Sequence, residues 1–198
     1  LTEALAGLDP QEVWDPQPGA AVANAWRSYR ACLESAPDEA SHLLVIQDDA
    51  TVCRHFAATL RRIACTHPDR IVCLFVGGAP ARSAELIRQA GARDERYAEL
   101  DPAEWLPCVA TVWPTTLIGP LLEFVDERMW RNGHLGDDHR LGEFVRHQHI
   151  IALATVPNLV QHEDRVPSLI GTHALAGLNP ARIGCCFIGD HDPRELDW

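Results

Sequence analysis

Leu43-Leu44-Val45-Ile46-Gln47-Asp48-Asp49-Ala50 is the stretch whose reading decides the fold. Four aliphatic residues run directly into an amide and two adjacent carboxylates. An uninterrupted aliphatic run of that kind predicts a strand buried on both faces, as in parallel sheets. In open α/β sheets, ligands bind beyond the carboxyl ends of such strands. Paired carboxylates placed there offer hard oxygen donors to a divalent cation. The plainer reading is a turn or a helix N-cap, both of which Asp also favours.

Upstream of this stretch, Val22, Ala25, Trp26, Tyr29 and Leu33 recur at spacings of three and four, which predicts an amphipathic helix over 20–33. Before it, residues 1–9 read as the end of a helix stopped by Asp9-Pro10, 12–14 as a short strand and 15–19 as a loop. Downstream, helices are expected over 56–66, 82–91, 120–129 and 141–149, with Gly91 as a cap and Pro120 in a first turn. Apolar strands are expected over 70–76, 108–115 and 149–155. The polar segment 93–107 reads as a mobile loop anchored by Trp105, and 178–198 as a tail looping over the body. Gly77-Gly78 fits neither the P-loop nor the dinucleotide-binding spacing, so no phosphate role is assigned to it. The alternation of strands and helices predicts an α/β fold, a single domain with a mainly parallel sheet flanked by helices.

Composition narrows the function classes. A chain of 198 residues supports one domain. The net charge is −11, and all 17 basic residues are Arg. Such a surface repels nucleic-acid phosphates, which argues against broad DNA or RNA binding. No apolar run approaches the ~20 residues of a membrane span. No basic leader region precedes the first apolar residues, and Leu1 in place of Met leads us to expect a trimmed start. The seven Cys are irregularly spaced with no Cys-x-x-Cys, so reduced thiols and a cytoplasmic home are expected rather than structural zinc.

Three polar clusters carry candidate chemistry: Asp48-Asp49, Asp137-Asp138 and Gln161-His162-Glu163-Asp164. Each has an ordinary alternative. Asp137 or Asp138 suits a helix N-cap, and a lone His is commonly a surface or core residue. Trp113 and Trp130 have the rings to stack on a sugar, although burial in the core is the simpler expectation.

In this order the clusters resemble a nucleotide-sugar glycosyltransferase of the GT-A (Rossmann-like) type. His42 to Ala50 looks like the Leu-x-Leu-Glu-Asp-Asp-Ala element of lipooligosaccharide-type (family 25-like) transferases, and 20–41 resembles the helix before it. Trp113 to Ile118 looks like an acceptor-side strand, and Gly136-Asp137-Asp138 like the acidic element facing the acceptor. Pro157 to His162, followed by Pro167-Ser168-Leu169-Ile170-Gly171, resembles a late segment of small bacterial and phage members. The resemblance spans roughly 10–175. It implies a donor and metal half over 1–110, an acceptor half over 111–175 and a tail over 176–198. It implies Mn²⁺ or Mg²⁺ held by Asp49, His162 and Gln47. Asp48, Ser168 and Arg165 would face the donor, and Asp138, with Asp137 in reserve, would act as base. The donor would be a nucleoside-diphosphate sugar, uridine-linked by the family pattern. The acceptor hydroxyl would belong to a glycan, small molecule, protein or modified DNA base. Gln47 stands where the family carries an acidic residue, so this ligand supplies an oxygen without charge. Two rival readings share the strand-end carboxylates: a degenerate GT-A-like binding domain, and a Mg²⁺-dependent nucleotidyl- or phosphotransferase, which should show Lys or Arg phosphate clamps.

Overall fold

The aliphatic run at 43–46 does form a strand, and its neighbour is the strand at 110–114 running the opposite way. The computed structural model describes residues 1, 5, 7–15, 21–78, 81–129, 136–162 and 183–198. Along them run α1 (Ala21–Glu34), β1 (His42–Ile46), β2 (Ala50–Val52), α2 (Phe56–Thr66), β3 (Val72–Cys73), α3 (Ala81–Ala92) and β4 (Tyr97–Glu99). They continue with β5 (Ala110–Pro114), α4 (Ile118–Arg128), α5 (Asp137–His147), β6 (Leu153–Thr155) and β7 (Val160–His162). Five strands form the main sheet in the order β1-β5-β3-β6-β4, and β2 pairs with β7 in a separate ribbon.

The expected mainly parallel sheet is corrected. β5 is antiparallel to both β1 and β3, β4 is antiparallel to β6, and the β3–β6 pair alone is parallel. The reason lies in what an apolar run reports. Burial on both faces removes polar positions whichever way the neighbour runs, so the pattern of 110–114 does not reveal direction. All five residues of β5 are buried. The consequence for the site is smaller than the correction suggests. Because β1 and β3 both oppose β5, and β6 follows β3, those three strands share one direction. Their carboxyl ends and the amino end of β5 therefore meet at one edge of the sheet.

Two apolar cores cover the two faces. One gathers Trp26, Tyr29 and Leu33 of α1, Leu121 of α4 and Phe144 of α5 against Cys73 and Trp113. The other packs Phe56, Leu60 and Ile63 of α2, with Ile188 and Trp198, against Val72, Leu74 and Val112. Alternation along β5 explains the division, since successive side chains leave a strand on opposite faces. Each fully buried large apolar side chain contributes roughly 1.5–3 kcal/mol relative to exposure. With one sheet serving both cores, the described residues form one α/β domain. No helix among them is long and apolar enough to cross a membrane.

Other boundaries differ from expectation. Residues 12–14 form no strand, α3 runs past Gly91 to Ala92, and β3 is shorter than the apolar run that contains it. The segment expected as a mobile loop contains β4 and is clamped at both sides of Trp105. Glu104 accepts the backbone N–H groups of Arg82 and Ser83 at the start of α3, at 2.9 and 2.7 Å. Leu106 N–H donates to the carbonyl of Asp138 at 3.2 Å. Gly142 of α5 permits this approach: a Cβ there would stand 2.9 Å from Trp105 Cα.

Candidate functional site

Asp48 and Asp49 occupy the two middle positions of a tight turn between β1 and β2. Its closing bond is Ala50 N–H donating to Gln47 C=O at 3.2 Å. The turn reading is borne out, and the turn leaves Asp48 exposed and Asp49 half-buried. Immediately after the turn, β2 pairs with β7, and the register sets Ala50 opposite His162. That pairing brings His162 Nε2 to 3.3 Å from Asp49 Oδ2, with the imidazole side chain 8% exposed and the carboxylate 18%. The His162 ring rests against Phe75, centroids 6.0 Å apart.

The ribbon that carries His162 is itself held. Gln161 Oε1 accepts the backbone N–H of His162 at 3.1 Å and of Gly184 at 2.7 Å. Asn158 donates its side-chain amide to Val76 C=O at 2.9 Å, and its backbone N–H to Cys186 C=O at 2.8 Å. Segment 184–188 therefore straps the β7 side of the site to the end of the β3 run. Gly184 lies so close that a Cβ would stand 2.9 Å from Asn158 Nδ2.

The second acidic pair opens α5. Gly136 is the N-cap, and Asp137 and Asp138 fill the first turn, where negative charge complements the helix dipole. Neither Asp is the cap itself, which corrects the simpler expectation for them. They part company in burial: Asp137 is 8% exposed, whereas Asp138 is half-buried and His139 exposed. Asp137 Oδ1 accepts the backbone N–H of Asp138 at 3.0 Å, and Asp138 Oδ1 accepts that of His139 at 2.8 Å. Burial raises the Asp137 carboxyl above the usual carboxylate range; hydrogen bonds from the Asp138 backbone and Cys108 oppose that shift. Arg140, one turn on, feels the Asp137 charge and lies over Trp26 with its guanidinium carbon 5.5 Å from the ring centroid.

Cys108 links the two acidic pairs. Gln47 Nε2 donates to its Sγ at 3.8 Å, and the charges of Asp137 and Asp138 act on the thiol. Burial, followed by the charges of Asp137 and Asp138, pushes this thiol well above the ordinary range. Below it, Trp113 Nε1–H donates to Tyr29 Oη at 2.8 Å. Trp113 is wholly buried there and is a core residue, with no face open to a sugar.

Of the residues singled out in the sequence, Gln47, Asp48, Asp49, Asp137, Asp138 and His162 reach the same edge of the sheet. Arg165, Ser168 and Trp130 lie outside the described residues. Sequence reasoning missed Cys108 and Asn158, and named Gln161 only as a member of its polar cluster. The clue to Cys108 was its place directly after Leu106-Pro107, at the head of a buried strand. Among the described residues, no three His, Cys, Asp or Glu side chains gather as a group able to hold a metal. The donor chemistry of the smaller set does suit one. Two ligands each about 2.1 Å from an octahedral ion stand ~3.0 Å apart, close to the 3.3 Å between His162 Nε2 and Asp49 Oδ2. No protein-family model matches the chain, and no curated protein matches it.

Proposed function

We propose that the chain is a divalent-cation-dependent glycosyltransferase that moves a sugar from a nucleoside diphosphate, most simply uridine diphosphate, to an acceptor hydroxyl. The observation that carries this reading is the Asp49–His162 pair, 3.3 Å apart at the carboxyl end of a buried strand, beside the exposed Asp48. Two protein ligands are what Mg²⁺-type sites commonly supply when substrate phosphates and water complete the shell. Asp49 and His162 would hold the ion, Mn²⁺ being favoured by the imidazole nitrogen. Bound there, it would supply positive charge to the diphosphate leaving group.

The chain's own groups divide the remaining work. Asp48, exposed at the tip of the turn, faces the donor. Asp138, half-buried and at the open side of the α5 first turn, takes the proton from the attacking hydroxyl. Asp137 does not reach solvent in the same way, so it serves under Asp138 as an anchor of the helix start. The test is a donor-hydrolysis screen over uridine- and guanosine-diphosphate sugars with Mn²⁺, wild type against Asp49→Ala. Cation-dependent release of the diphosphate, lost in the variant, supports the reading. Release that survives Asp49→Ala unchanged contradicts it.

A further inference from the structure

Trp105 is 37% exposed, and a surface Trp is commonplace by itself. What sets this one apart is how firmly it is held and what it stands beside. Its segment is fastened to two helices. Glu104 accepts the backbone N–H groups of Arg82 and Ser83 at the start of α3, and its Oε2 also takes the Ser83 hydroxyl at 2.8 Å. On the α5 side, Leu106 N–H donates to Asp138 C=O at 3.2 Å, and Arg146 Nε donates to Pro102 C=O at 3.2 Å. Gly142 leaves room for the Trp105 backbone between them. Despite these holds, the indole is left partly open to solvent. Its neighbour is His139, exposed in the first turn of α5, with ring centroids 5.6 Å apart and planes at 52°. His139 gives its backbone N–H to Asp138 Oδ1 at 2.8 Å. One exposed residue thus touches both the indole and the half-buried carboxylate proposed as the base.

A fixed aromatic face beside such a carboxylate has a definite chemical complement. The face carries the negative part of the ring quadrupole and attracts the slightly positive hydrogens of C–H bonds. A carboxylate acting as base accepts the hydrogen bond of a hydroxyl. A pyranose satisfies both, because one flank is a sheet of C–H bonds and its hydroxyls donate from the rim. Holding the segment in advance removes the cost of ordering it when the sugar binds. A DNA acceptor would bring phosphates toward a chain of net charge −11. A peptide hydroxyl has no ring to lay on the indole.

We infer that Trp105 is the acceptor platform and that the acceptor is a saccharide, its ring stacked on the indole beside His139 with a hydroxyl turned toward Asp138. The inference rests on the transferase reading and narrows its acceptor to one class. Trp113, the ring expected to be a candidate for this role, is in the core, and Trp105 takes its place.

The experiment titrates the isotope-labelled full chain with the methyl pyranosides of glucose, galactose and mannose, and separately with uridine, following the indole N–H signals by NMR. Trp105 is assigned by the signal lost in Trp105→Phe. At least one pyranoside should shift the Trp105 indole. Trp105→Ala should weaken that binding about two- to tenfold, the size of an aromatic stacking contact, and Trp105→Phe, which keeps a ring, should retain most of it. An indole that no pyranoside shifts overturns the inference. An indole that uridine shifts and no pyranoside does overturns it too, moving Trp105 to the donor side. Pyranoside affinity unchanged in Trp105→Ala is equally contrary. Pyranoside binding that depends on Trp105, in a chain that hydrolyses no sugar nucleotide, keeps the saccharide platform and overturns the transferase reading instead. Should Trp105→Ala not fold, the wild-type indole shift and the affinity of Trp105→Phe decide: an unmoved indole with equal affinity in the Phe variant overturns the platform.

Discussion

Two Asp-Asp pairs sit on this molecule, and the fold treats them differently. Asp48-Asp49 lies in a turn, with one carboxylate exposed and the other set against His162. Asp137-Asp138 lies in the first turn of α5, with one carboxylate driven into the core and the other left half open. The turn sets the two side chains apart, with Asp48 in solvent and Asp49 turned toward His162 with 18% of its side chain open. A helix rotates each residue by a little over a quarter turn, so neighbours in the second pair face different surroundings. Identical dipeptides thus end in different surroundings, and under the proposed function they act as a cation-facing pair and as a base on top of an anchor. The difference teaches that acidic doublets are to be read through the element that carries them.

That contrast is open to attack by substitution, most sharply at Asp49. Asp49→Ala should lower cation-dependent donor hydrolysis roughly 10²–10³-fold, the size expected when a preorganised electrostatic contact is removed. Its melting temperature should fall only modestly, by the loss of one contact to the largely buried His162; a collapse of stability matching the loss of hydrolysis would make Asp49 structural. Asp138→Asn is next. Transfer should fall about 10²-fold through loss of general-base catalysis, with Mn²⁺ affinity unchanged. Equal losses in binding and transfer would reduce Asp138 to a helix-start residue like its neighbour.

Two smaller effects test the packing beneath the second pair. Gly142→Ala drives a Cβ to 2.9 Å from Trp105 Cα and 3.0 Å from Glu104 O, both backbone atoms that cannot swing aside. Destabilisation of about 1–3 kcal/mol is expected for overpacking of this kind, measured by the denaturant midpoint. Asp137→Asn should change how stability depends on pH. Burial raises this carboxyl in the folded state, so over the window from about 3.9, its ordinary value, up to the raised value the folded chain holds a proton that the unfolded chain has lost. Wild-type stability therefore falls as pH rises through that window. The variant, uncharged throughout, should lack this fall and gain on wild type at neutral pH. A parallel loss of stability at every pH would show instead that the Asp137 charge is needed by Arg140 and Cys108.

Much of this arrangement was legible in the sequence, for reasons that can be named. The helices at 21–34, 56–66 and 118–128 follow from apolar spacing long enough to show a period. The strand ending just before Gln47 follows from four aliphatic residues in a row. β2 and β7 were not visible, because three residues are too few to display alternation. Yet it is their register that sets His162 beside Asp49, so the pairing of the two groups was suggested by family resemblance and not by periodicity. The reversed direction of β5 left no mark on its composition. Cys108 had no signal of its own: what marks it is a contact with the amide of Gln47, 61 residues away in sequence.

The measurement that bears most directly on the account is calorimetric titration of uridine diphosphate into the full chain, with and without Mn²⁺, for wild type, Asp49→Ala and His162→Ala. A site assembled by the β2–β7 ribbon predicts binding by the wild type that requires the cation, with that requirement and most of the affinity lost in both variants. Nucleotide that binds equally well without the cation, or equally well to Asp49→Ala, would contradict it.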